Sequence, residues 1–186
     1  MNLPNKLTIL RVLMIPPFVA ALLSGSWTGR MIALVLFCAA SFTDFLDGYI
    51  ARRDHLVTNF GKFMDPLADK MLVCSALICL VQMNRLAAWV VIILISREFI
   101  ISGFRLIASD NGIVIAASMW GKVKTVCQMV MTIVLILHLE QAFWQGLEAV
   151  LTVASVVLTL VSLVDYIWKN RSVLTEGGSD GKGDNS

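Results

Sequence analysis

Charge is scarce in this chain. Asp, Glu, Lys and Arg make up 15% of its 186 residues, against 58% hydrophobic. That balance excludes an ordinary soluble domain, where about a quarter of the residues are charged. Histidine is nearly missing: of two residues, His55 falls in a polar connection and His138 at the end of an apolar run. Cys38, Cys74, Cys79 and Cys127 all lie inside apolar stretches, with no CxxC pair and no histidine nearby. A zinc site and a disulfide framework are therefore excluded, and the thiols read as reduced packing residues. There is no internal repeat. Low complexity is confined to the end of the chain, where residues 175–186 offer nothing apolar to bury and 171–186 reads as a disordered cytoplasmic tail.

What the chain has is long apolar runs. A hydrocarbon core of roughly 30 Å needs about 20 apolar residues per helix. Six stretches qualify, near 7–24, 30–53, 63–83, 87–108, 116–138 and 146–168. The first begins at Leu7, runs into Pro16-Pro17 and has no small-residue cleavage site, so it reads as a retained span. The expected fold is all-α, a polytopic membrane domain over residues 1–170 with six transmembrane helices. With the N-terminus inside, all the Lys and Arg residues except Arg30 and Arg85 fall on the cytoplasmic side, which places both termini in the cytoplasm. Trp27, Trp89, Trp120, Trp144 and Trp168 fall near span ends, as an interfacial aromatic belt requires.

The few acidic residues are placed where insertion penalises them. Asp44 and Asp47 occupy the last turns of the second stretch, and Asp65 and Asp69 the first turns of the third. An Asp at a span centre costs roughly 2.5–3.5 kcal/mol, while a strongly apolar residue returns about 0.3–0.6. Carboxylates held there at that cost face a polar cavity near the interface. Spacings of three and four put each pair on one helix face, and the short connection between the two stretches makes them antiparallel neighbours. Four converging carboxylates form an all-oxygen set suited to Mg²⁺ or Mn²⁺, and a pair of such ions would clamp the phosphoryl oxygens of a diphosphate. Neutralisation of each Asp by a nearby Lys or Arg is the plainer explanation for any one of them. Gly48, Ala51 and Gly61 leave room for a ligand beside the cluster, and Arg52 can pair with a phosphate.

The pattern Asp44-x2-Asp47-Gly48-x2-Ala51-Arg52-x8-Gly61-x3-Asp65-x3-Asp69 resembles the signature of the CDP-alcohol phosphatidyltransferase family at every position. The resemblance covers roughly residues 1–170. It implies an enzyme that moves a phosphatidyl group from CDP-diacylglycerol to an alcohol and releases CMP. It further implies that Asp44, Asp47 and Asp65 bind two metal ions. Asp69 would be the general base and a possible fourth ligand, while Gly48, Ala51, Arg52 and Gly61 would line the cytidine diphosphate pocket. A homodimer in the bacterial cell membrane, with its site facing the cytoplasm, is expected from the family alone. The opening Leu3-Pro4-Asn5-x2-Thr8-x2-Arg11, the stretch Ser96-Arg97-Glu98-x6-Arg105 and Gly121-Lys122-Val123-Lys124-Thr125 are similar to the bacterial branch that uses glycerol 3-phosphate.

The cations support that acceptor. Arg97 and Arg105, eight apart, share a face of the fourth stretch, and Lys122 and Lys124 stand at the start of the fifth. Together they suit a dianionic phosphate, which serine or free inositol lacks; transfer onto another alcohol, inositol phosphate, inositol or serine, is the alternative. Interfacial anchoring on anionic lipid headgroups is the competing explanation for Lys122 and Lys124. Asn5 and Thr8 lie on a face that reaches the nucleotide, or else simply begin a helix at the interface. The expected partners are CDP-diacylglycerol, glycerol 3-phosphate and membrane lipids, and no nucleic acid. A cation channel or carrier fits less well, because the carboxylates sit at one end of two spans and the chain shows no paired half-repeats. A scaffold leaves the buried charges without a purpose.

Overall fold

The computed structural model describes residues 3–53, 59–110 and 118–170, with side chains described at 7–43, 67, 68, 70–106, 108 and 118–170. The tail expected over 171–186 lies outside these residues. Six helices follow one another: α1 (Leu3–Leu23), α2 (Trp27–Arg53), α3 (Asn59–Gln82), α4 (Ala88–Asp110), α5 (Met119–Leu137) and α6 (Ala142–Lys169), with no strand among the described residues. Each contains most of one apolar stretch expected from the sequence. Several begin three or four residues early, because a helix takes polar residues in its first turn that an apolar count leaves out. Pro4 in the first turn of α1 costs no hydrogen bond there. α1 also continues through Pro16 and Pro17, both on its exposed side.

Packing follows from residues three and four apart. Thr8, Arg11, Ile15, Phe18 and Leu22 are the buried positions of α1 among the described residues. They lie against α2 and α3, with Phe18 stacked obliquely on Phe37 at 5.9 Å. Ala33 and Ala40 on α2 and Ala68 and Ala76 on α3 are fully buried, and their small side chains let the helices approach closely. α5 pairs with α6, and α4 packs on both α3 and α6. Connections are tight. Gly25 takes φ +69° between α1 and α2, and Gly29 is fixed as glycine because a Cβ there would lie 2.5 Å from the Ala21 carbonyl oxygen.

α6 is built inside out by the standard of a water-soluble protein. Its buried positions are Ser155, Thr159, Ser162 and Tyr166, while Val150, Val153 and Val164 are more than 60% exposed. Water would penalise an apolar face of that extent, and lipid does not. α5 and α6 are both long and apolar enough to cross a membrane. α1, α2 and α3 hold shorter apolar runs among the described residues, Leu7–Leu23, Trp27–Thr43 and Lys70–Gln82.

At the end of the bundle where α5 finishes, two arginines close the helix. Arg30 donates through Nη1 to the carbonyls of Leu137 and His138, at 3.4 and 3.2 Å, and Arg85 donates to that of Leu135 at 3.2 Å. These terminal carbonyls have no partner within the helix, and cations there also oppose the negative end of its dipole. His138, in the left-handed region at φ 42°, turns the chain and meets Glu148 of α6 at 3.3 Å. The two arginines that stood apart from the cytoplasmic set in the sequence thus share a structural task. Replacing Arg30 with Ala should lower the thermal unfolding midpoint in detergent, by the equivalent of about 1.5–3 kcal/mol for hydrogen bonds made by a charged donor. An unchanged midpoint would show that the cap contributes nothing.

Candidate active site

The acidic motif spans two helices that pack together. Asp44, Asp47, Gly48, Ala51 and Arg52 belong to the C-terminal half of α2, and Gly61, Asp65 and Asp69 to the N-terminal half of α3. The side chains of these residues and of Asn5 lie outside the described residues. Among the described residues no group of three or more His, Cys, Asp or Glu forms a metal site. Thr8, proposed from sequence for the nucleotide, is fully buried beside Arg11 on the packed face of α1.

The expected cations are described, and they divide between two adjoining cavities. The larger, about 380 Å³, falls within the ~300–1,000 Å³ of small-molecule sites. Lys70 of α3, Arg97 and Arg105 of α4, Lys122 of α5 and Tyr166 of α6 line it. Lys70 directly follows Asp69 on α3, so the cavity reaches the helix that carries half of the motif. The eight-residue spacing of Arg97 and Arg105 does bring both to one cavity. Its floor includes the start of α5, where Ser118 caps the helix by accepting from the Gly121 amide at 3.2 Å. A helix N-terminus adds partial positive charge on that side.

Lys124 does not join Lys122. Residues two apart on a helix point to different faces. Lys122 is exposed along the larger cavity, whereas Lys124 is 1% exposed, ion-paired to Glu98 and turned toward a smaller cavity of about 80 Å³ between α3, α4 and α5. Glu98 also meets Arg97 Nη1 at 3.3 Å. One carboxylate thus joins cations from α4 and α5, and Lys70, Arg105 and Lys122 line the larger cavity beside Arg97. Cations outnumber carboxylates among its described lining residues.

Arg97 is held on three sides. Nε donates to the Ser162 hydroxyl of α6 at 3.1 Å, Nη1 meets Glu98, and a Cβ added at Gly121 would lie 3.2 Å from Nη2. The sequence reading overlooked Ser162 and Tyr166. Their trace was the polar series Ser155, Thr159, Ser162, Tyr166, which marks the inward face of α6 once its apolar background is recognised as lipid-facing. Asp165, which sequence left without a role, pairs with Lys169 one turn later at 2.7 Å.

A model of the CDP-alcohol phosphatidyltransferase family matches residues 1–161. The chain belongs to this family. Among its relatives in the CDP-alcohol phosphatidyltransferase family is the CDP-diacylglycerol–glycerol-3-phosphate 3-phosphatidyltransferase of Bacillus subtilis (strain 168), 44% identical over 93% of this chain and 97% of that one. Proteins of the same name from Haemophilus influenzae and Rickettsia felis are 38% and 40% identical, over 90% and 73% of this chain and 88% and 75% of theirs. Within this family member, α3, α4, α5 and α6 line a cavity rich in cations.

The Glu98 pairing makes a prediction of its own. Replacing Glu98 with Gln leaves Lys124 buried and uncompensated, which should cost roughly 3–5 kcal/mol. The unfolding midpoint should fall sharply, and Lys124→Met in the same chain should recover most of the loss. Failure of the second substitution to recover stability would show that Glu98 acts through something other than Lys124.

Proposed function

We propose that this chain transfers the phosphatidyl group of CDP-diacylglycerol to sn-glycerol 3-phosphate, giving phosphatidylglycerophosphate and CMP in phosphatidylglycerol and cardiolipin synthesis. The observation that carries the choice of acceptor is the cavity lined by Lys70, Arg97, Arg105 and Lys122. A dianionic phosphate matches that charge, and serine or free inositol does not. The names of the relatives point to the same acceptor.

In this reading all six helices span the bacterial cell membrane, with both termini and the site at the cytoplasmic side and two copies forming a dimer. The basic residues concentrated at the α4–α5 end support the orientation, since the opposite end uses Arg30 and Arg85 to close α5. The dimer rests on the family resemblance.

The acceptor's free hydroxyl oxygen attacks the phosphorus that bears diacylglycerol, the bond from that phosphorus to the bridging oxygen breaks, and CMP departs. Asp69 takes the hydroxyl proton as the new bond forms. Asp44, Asp47, Asp65 and Asp69 offer only carboxylate oxygens from two neighbouring helices, a donor set that suits Mg²⁺ or Mn²⁺. Two such ions, when bound, supply neutralisation of the diphosphate oxygens. Arg52, Gly48, Ala51 and Gly61, with Asn5, hold the cytidine diphosphate, and Thr8 supports them from the packed face of α1. Arg97, Arg105 and Lys122 hold the acceptor phosphate from the cavity wall, and Lys124 contributes only through its pairing with Glu98. Alignment of acceptor and phosphorus then provides much of the acceleration.

CMP release by purified protein in detergent tests this directly, with CDP-diacylglycerol, Mg²⁺ and glycerol 3-phosphate, serine or inositol. Release should require glycerol 3-phosphate, stop with EDTA and fall by about 10²–10⁴ in Asp69→Asn. Release with another acceptor would keep the family chemistry and overturn the assignment of the cations. No release with any acceptor would favour cation transport.

A further inference from the structure

A third recess opens on a separate face of α6 and shares no lining residue with the cation-lined cavity. It is a groove of about 500 Å³ between the start of α5 and the end of α6, and its walls include Trp120, Val161, Val164, Asp165, Trp168 and Lys169. On α6, Val164, Asp165 and Trp168 follow Val161 by three, four and seven residues, so the four share one face. Trp120, Val164 and Trp168 are exposed on the outer surface of the bundle. Two indoles at one end of the helices, with valines one and two turns further in, match the boundary between lipid headgroups and hydrocarbon.

The polar end of this groove is only half matched. Asp165 Oδ1 pairs with Lys169 at 2.7 Å, but Oδ2 is closed to water and accepts no hydrogen bond among the described residues. The Asp165 side chain is 18% exposed, whereas that of Lys169, at 62%, extends outward. A carboxylate oxygen so enclosed calls for a donor, and a cationic donor answers it best. The Lys169 ammonium has three N–H groups, which leaves capacity for an acceptor besides Asp165. An occupant of the groove therefore carries a donor and an acceptor in one headgroup, above an apolar chain. It is also neutral overall, because Asp165 and Lys169 cancel and a net charge of either sign would stand unopposed against one of them. A phospholipid whose headgroup joins a phosphate to a primary ammonium meets every condition. Phosphatidylcholine has no N–H to donate, and phosphatidylglycerol sets a net negative charge against the carboxylate.

We propose that this groove binds an aminophospholipid of the surrounding membrane. Its ammonium donates to Asp165 Oδ2, its phosphate accepts from Lys169, and one acyl chain lies along Val164 and Val161. The site requires only that α5 and α6 cross the bilayer, as their length and composition allow. Its place in the cytoplasmic leaflet rests on the orientation proposed above. No residue of the groove takes part in the phosphatidyl transfer, so the lipid bound here is a partner and not a substrate.

To test this, the full chain in detergent is mixed with equal amounts of phosphatidylethanolamine, phosphatidylcholine and phosphatidylglycerol, freed of unbound lipid on a column, and its retained lipid counted by mass spectrometry. Phosphatidylethanolamine should be retained about tenfold over either of the others, the low end for a hydrogen bond to a charged group. Asp165→Asn, which keeps the size of the side chain and removes its charge, should abolish that preference. Val164→Trp, which fills the groove from an exposed position, should lower retention of phosphatidylethanolamine while leaving the carboxylate in place. Neither substitution should alter CMP release or KM for CDP-diacylglycerol, which separates a partner lipid from the chains of the substrate. Equal retention of the three lipids, a preference for phosphatidylglycerol, or a preference that survives Asp165→Asn would each overturn the proposal. So would a rise in KM for CDP-diacylglycerol, which would assign the groove to the substrate, or loss of self-association in Val164→Trp, which would assign it to a second copy. A parent chain that releases no CMP overturns the function proposed above, and the lipid counts then decide this site independently.

Discussion

A charge inside a bundle whose outer surface is apolar must find its counter-charge within the bundle. The group formed by Lys124, Glu98 and Arg97 satisfies that condition, and the site is organised around it. Glu98 accepts from cations on its own helix and on α5. Arg97 is in turn steadied by Ser162 of α6. Three helices are thereby registered against one another at the level of the larger cavity. Lys70, Arg105 and Lys122 stand on the wall outside that group. Structural and recognition roles are thus divided among cations only a few residues apart.

The opposite end meets the same condition with different chemistry. There Arg30 and Arg85 give their hydrogen bonds to backbone carbonyls at the end of α5, and Glu148 meets His138. No cavity described at that end gathers several cations against one carboxylate. Charge at one end serves a helix terminus, and at the other it surrounds a space of about 380 Å³. This contrast gives physical content to the asymmetry of Lys and Arg along the sequence.

Much of the helical plan was legible beforehand because apolar length is a one-dimensional property. The stretch near 7–24 became Leu3–Leu23, and that near 116–138 became Met119–Leu137. The shared face of Arg97 and Arg105 was legible for the same reason, since eight residues are close to a whole number of turns. The grouping of Lys122 with Lys124 was not, because adjacency in sequence hides the rotation that sends one to the cavity and the other into the Glu98 pair. Tyr166 and Ser162 escaped notice because hydroxyls near the end of an apolar helix read as interfacial. Only the knowledge that α6 exposes Val150, Val153 and Val164 shows that its polar residues face inward. The family signature at Asp44 to Asp69 was the clearest feature of the sequence, since it needs fixed spacing and no tertiary knowledge.

The pairing of Glu98 with Lys124 also bears on how the chain enters the bilayer. Each ion lies on a different helix, and a lone Lys or Asp near a span centre raises the insertion cost by roughly 2.5–3.5 kcal/mol. α4 brings Glu98 and Arg97 before α5 brings Lys124, so the earlier helix carries the counter-ion that makes the later one easier to accommodate. Synthesis thus delivers the carboxylate before the lysine that needs it, and α6, whose Ser162 steadies Arg97, comes last.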